Sequence, residues 1–95
     1  MRWKAKRVRW RTRALEDLRG FNDWLATLER GDPRKTIGRI RAAAESLKRL
    51  GGVGRPSIER GVRELSVRNA PYVIVYKIDG DTVDILAVYH SAQRR

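Results

Sequence analysis

Residues 61–90, GVRELSVRNAPYVIVYKIDGDTVDILAVYH, constrain this chain more than any other stretch. They hold three runs rich in β-branched and aromatic residues, predicted as strands at about 62–67, 72–78 and 82–90, and they end in the single histidine, His90. Asn69-Ala70-Pro71 and Asp79-Gly80 separate the runs. Asp-Gly between two alternating segments predicts a two-residue hairpin, because both central residues of a type I′ turn need positive φ. That turn sets Ile78 opposite Asp81, Tyr76 opposite Val83, Ile74 opposite Ile85 and Tyr72 opposite Ala87, all on one almost wholly apolar face. The other face then carries Val73, Val75, Lys77, Thr82, Asp84, Leu86, Val88 and His90, a mixed surface left partly open to a partner.

Upstream, Arg7-Val8-Arg9-Trp10 alternates and predicts a short strand with Val8 and Trp10 turned to the core. Residues 1–5 break the alternation and read as a loose basic arm. After Thr12, a candidate N-cap, the residues Ala14, Leu18, Phe21, Leu25 and Leu28 recur at helical spacing, with Leu15 and Trp24 on the flanks. This helix is expected to stop near Arg30-Gly31. Asp32-Pro33 restarts a helix whose apolar face is Ile37, Ile40, Ala44 and Leu47. Three glycines and Pro56 make residues 51–56 a loop. The expected architecture is one α+β domain over residues 1–95, ordered β-α-α-β-β-β, with a helix hairpin on one face of a largely antiparallel sheet.

Composition narrows what such a domain does. Without cysteine, and with one histidine, thiolate metal sites and disulfides are excluded and no metal or cofactor is expected. The basic start leads into no apolar run long enough for a secretory signal or a membrane span, so the expected location is the cytoplasm and no membrane partner is expected. Lys and Arg number 22 against 11 acidic residues, a net charge of +11, and seven of the basic residues fall in the first 13 positions. Such a surface attracts polyanions, whether nucleic acid, ribosome or an acidic protein segment. The early cluster is equally consistent with solvated charge guarding a sheet edge.

The order of GVRELSV, PYVIVYKI and DTVDILAVYH, after Thr12-Arg13-Ala14-Leu15 and Asp32-Pro33, resembles the RelE/ParE superfamily of bacterial type II toxins over almost the whole length. The resemblance implies a small basic toxin of a plasmid-stabilising kind, wrapped and silenced in a hetero-oligomer by an amphipathic segment of a cognate acidic antitoxin. Two activities are implied within the superfamily. RelE-like members cut mRNA in the ribosomal decoding site, and ParE-like members bind DNA gyrase and block it without cutting RNA.

Metal-free RNA cleavage needs a proton acceptor for the ribose hydroxyl, a cation for the charged phosphorane and an acid for the leaving oxygen. RelE-like toxins place an arginine three residues before the tyrosine that matches Tyr76; here that residue is Val73. His90 is the remaining acid-base candidate, with Arg63 or Arg68 as its cation, since an imidazole of ordinary pKa near ~6.5 serves either role. The alternative for His90 is a strand-end histidine bonded to the helices or the C-terminal tail, and for Tyr72, Tyr76 and Tyr89 core packing rather than base stacking. Trp3, Arg55, Arg63, Arg68, His90, Arg94 and Arg95 are the candidate partner contacts, Trp3 as an exposed anchor and Arg94 and Arg95 as either a frayed tail or an acid-binding end. The absent arginine favours the ParE-like, gyrase-binding branch with no catalytic residue. The alternatives are a ribosome-dependent mRNA endonuclease using His90 with Arg63 or Arg68, and a non-toxic nucleic-acid-binding domain.

Overall fold

Two helices cover one face of a five-stranded sheet, and the apolar periodicities explain why. A computed structural model describes residues 5–93. The elements are β1 (Arg7–Trp10), α1 (Thr12–Ala26), α2 (Pro33–Ser46), β2 (Arg55–Pro56), β3 (Val62–Ser66), β4 (Tyr72–Asp79), β5 (Thr82–His90) and a closing turn of 3₁₀ helix, Ser91–Gln93. Strand order is β1-β5-β4-β3-β2. β1 runs parallel to β5, and the other pairings are antiparallel.

The core lies between the helices and one sheet face. Ala14 and Leu18 from α1, and Ile40, Ala44 and Leu47 from α2 and its C-cap, pack against Tyr72, Ile74, Tyr76, Val83, Ile85 and Val88. Val8 and Trp10 flank this cluster as their alternation predicts. Cutting a fully buried member such as Ile40 or Ile85 back to alanine removes about 2–5 kcal/mol. Arg41 of α2 lies 5.7 Å over the Trp10 ring and closes that end.

Helix ends depart from the sequence reading for local reasons. Arg11, not Thr12, is the N-cap of α1, without a side-chain cap, because its extended backbone is still in the sheet and donates to the Ile85 carbonyl at 3.0 Å. α1 stops at Ala26, where Thr27 donates its hydroxyl to the Trp24 carbonyl at 2.6 Å. Gly31 allows a close pass of the chain instead: a Cβ there would collide with the Leu25 carbonyl. Asp32 caps α2 as expected, accepting from the Lys35 N–H at 3.1 Å, with Pro33 in the first turn.

The chain from 51 to 56 is not all loop, since Arg55 and Pro56 form an edge strand against Glu64 and Arg63. Ala5, assigned to a loose arm by its sequence, is buried and donates its N–H to the Lys48 carbonyl at 3.1 Å. The β4–β5 turn is Gly80-Asp81 rather than Asp79-Gly80: Asp79 stays in the ladder opposite Thr82 and only Gly80, φ 61°, has positive φ. One left-handed residue at the first central position suffices in a type II′ arrangement, and glycine adopts it without a Cβ penalty.

Candidate functional site

β5 carries one residue too many for its partner, and that residue decides where the histidine points. From the turn, Ile78 faces Val83 and Tyr76 faces Ile85, but Val75 then faces Ala87, leaving Leu86 as the bulged extra residue. Every later side chain changes face. Val88 and His90 therefore stand on the helix side with Ile74 and Tyr72, and Tyr89 moves to the opposite side with Val73. The expectation that His90 shares a face with Val73 is overturned, as is the placing of Tyr89 in the core.

On the helix side, His90 meets Tyr72 edge-on at 5.2 Å and Trp24 at 6.2 Å between ring centroids. Its Nδ1 accepts from the Ala92 N–H at 3.1 Å, and its own N–H donates to Gln93 Oε1 at 3.0 Å. Phe21 closes on Tyr72 at 4.9 Å. Phe21, Trp24 and His90, with Arg13, Asp17 and Val88, line an open groove of about 550 Å³ between α1 and the end of β5. Asp17 builds it: one oxygen accepts from Arg13 Nε at 3.1 Å and the other from the Val88 N–H at 2.9 Å. β1 pairs with β5 only as far as Ile85, so this carboxylate satisfies an edge that β1 leaves uncovered.

The opposite face is held by charge. Arg9 forms a double hydrogen bond to the buried Asp84, which holds that carboxyl below the ordinary aspartate value and raises the guanidinium. Arg55 donates Nε and Nη2 to Glu64 Oε1 at 3.4 and 3.3 Å, and the Tyr89 hydroxyl reaches the same oxygen at 3.0 Å. Val73 is buried beside this network, 5% exposed, between Ser66 and Tyr89.

Arg63 and His90 do not converge. Arg63 is on the helix side, opposite Tyr76, with Nη1 on the Gly54 carbonyl at 3.2 Å. His90 pairs four residues further along β4, at Tyr72, and two strands across, which separates the two by about 16 Å at the usual sheet spacings. Arg68 is exposed in the β3–β4 turn. Arg55 is tied to Glu64, while Trp3, Arg94 and Arg95 lie outside the described residues. Among the described residues no His, Cys, Asp or Glu cluster could hold a metal ion. Sequence reading missed Asp17, Glu64 and Asp84 as organising acids. It had one signal for the bulge behind the rest: Ile85-Leu86-Ala87-Val88 is a run of four apolar residues that breaks alternation.

The family model described as the ParE toxin of the type II toxin-antitoxin system parDE matches residues 8–95. A Sinorhizobium fredii protein with a provisional toxin designation, Y4kP, is 37% identical over 92 residues, covering 94% of this chain and 92% of the relative. Among solved structures, a chain of the chromosomal ParDE system from P. aeruginosa superposes with a TM-score of 0.79 at 23% identity, over 92% of this chain and 95% of that one. A chain of the RelBE2 toxin-antitoxin complex from Mycobacterium tuberculosis gives 0.63 at 26% identity, over 95% and 99% respectively.

Proposed function

The chain belongs to the ParE toxin family of type II toxin-antitoxin systems, and on that premise we propose that it acts by binding DNA gyrase and is silenced by a cognate acidic antitoxin. The observation that carries this reading is the placing of Val73 and His90 on opposite sides of the sheet. A valine offers no cation to a developing phosphorane, and the only imidazole is turned away from it, between Tyr72 and Trp24. Val73 and His90 therefore do not share one site, and Arg63 stands about 16 Å from the imidazole at the usual sheet spacings.

The antitoxin side of the proposal rests on charge and on α1. A net charge of +11 favours fast association with an acidic partner. Trp24 on the helix that borders the groove, and Leu28 just past its end, are about half exposed, which suits an amphipathic segment. A cytoplasmic location accompanies this reading; among the described residues no helix is long and apolar enough to cross a membrane.

The test is to assay the purified protein in parallel for inhibition of gyrase supercoiling and for cleavage of mRNA on programmed ribosomes. Inhibition without cleavage is expected. Ribosomal cleavage that disappears in His90→Ala, with supercoiling untouched, sinks the proposal.

A further inference from the structure

Among the described residues seven large apolar side chains reach solvent, six of them 36–51% exposed and the seventh, Ile58, 96% exposed. Partial exposure of aliphatic side chains is ordinary, but an isoleucine standing almost free of the protein contributes nothing to the core. Ile58 sits at the tip of the hairpin between β2 and β3, and that tip is built rather than loose. Arg55 pairs with Glu64 and Pro56 with Arg63; Ser57 donates its N–H to the Val62 carbonyl at 2.8 Å, and Val62 donates to the Glu59 carbonyl at 3.1 Å. Glu59 N–H reaches Ser57 Oγ at 3.4 Å, and Pro56 fixes φ one step before the turn. A side chain presented this way loses little backbone freedom on binding.

Its neighbourhood is basic: Arg55, Arg60 and Arg63 lie on the same hairpin, against Glu59 and the already paired Glu64. The hairpin is also remote from the groove. β2 is the last strand at one edge of the sheet, whereas the groove lies at the end of β5, with β4 and β3 between.

We propose that the β2–β3 tip is the knob that engages the target protein, with Ile58 entering an apolar pocket whose rim is acidic. The inference rests on the gyrase reading and adds to it the part of this chain that makes the contact. A protein fits better than a nucleic acid, because single-strand binders offer aromatic platforms to bases and this tip offers an aliphatic branch. The target fits better than the antitoxin, because the groove and the exposed face of α1 form a separate surface beyond β4.

Ile58→Asp and Ile58→Leu are compared with the unaltered protein in a gyrase supercoiling assay on relaxed plasmid, with co-purification of the cognate antitoxin as the second readout. Ile58→Asp is expected to raise the concentration for half-inhibition by about tenfold or more, as loss of a buried anchor does, while Ile58→Leu stays within about threefold. Both should keep the antitoxin and the melting temperature of the parent, since the side chain touches so little of the fold. If Ile58→Asp inhibits as well as the parent, the knob is wrong and the gyrase reading stands. Loss of the antitoxin with inhibition retained makes the antitoxin the occupant and overturns the proposal. A parent protein that leaves supercoiling untouched removes both readings.

Discussion

Arg9 grips Asp84 through two hydrogen bonds, Nε to Oδ1 at 2.7 Å and Nη2 to Oδ2 at 3.2 Å, across the parallel pairing of β1 with β5. The aspartate side chain is 1% exposed and the arginine 51%, so water reaches the cation and not the acid. Asp84 is held below its ordinary value of 3.8 by that hydrogen bond above all. Because the folded value lies below the unfolded one, the stability contributed is full above about pH 4 and fades as pH falls through the folded value. Thermal melting between pH 6 and pH 2 should therefore show Asp84→Asn destabilised by about 1–2 kcal/mol near neutrality and approaching the parent in acid. A gap that stays constant with pH contradicts this.

Asp17 joins α1 to the uncovered edge of β5 through the Val88 N–H. Asp17→Ala leaves that donor without its protein partner and should cost about 1–2 kcal/mol in chemical denaturation. Asp17→Asn keeps an acceptor oxygen and should cost less. Amide exchange at Val88 should accelerate in the alanine variant before exchange in the centre of β4 changes.

Tyr76 is buried on the helix side and sends its hydroxyl to the Val53 carbonyl, pinning the glycine-containing loop to the core. Burial pushes that hydroxyl above its ordinary value of 10.0. Tyr76→Phe fills the same space, so its expected cost is about 1 kcal/mol. The effect should appear locally, as faster proteolysis within residues 51–54 with little change elsewhere.

Val73→Arg supplies the cation that the nuclease branch would carry, on the face away from His90. It should not confer ribosomal mRNA cleavage, and burying a charge at a position 5% exposed should lower the melting temperature. Cleavage that appears in Val73→Arg and vanishes in Val73→Arg/His90→Ala would show that the two side chains do share a site.

Much of the fold was legible because its signals are local. The three- and four-residue spacing from Ala14 to Leu25 needs no knowledge of the rest of the chain to give α1, and Asp32-Pro33 needs none to start α2. The faces of β5 were legible only up to Ile85. Strict alternation carried past Leu86 puts His90 on the same face as Val73, and the single bulged residue reverses it. Arg55–Pro56 became a strand because β3 offered an edge, a tertiary cause that a glycine-rich segment does not announce. Glu64 and Asp84 look like solvent-side residues in an alternating strand. They are buried because Arg55, Tyr89 and Arg9 reach over to pair them, and pairing partners far apart in sequence leave no periodic mark.

Inhibition of gyrase by binding rather than by catalysis is read out by titrating purified gyrase with the purified protein and following supercoiling of relaxed plasmid. Inhibition should rise with the amount of protein, saturate as that amount reaches the amount of gyrase, and survive His90→Ala. Supercoiling that proceeds undisturbed at large excess of the protein would contradict it.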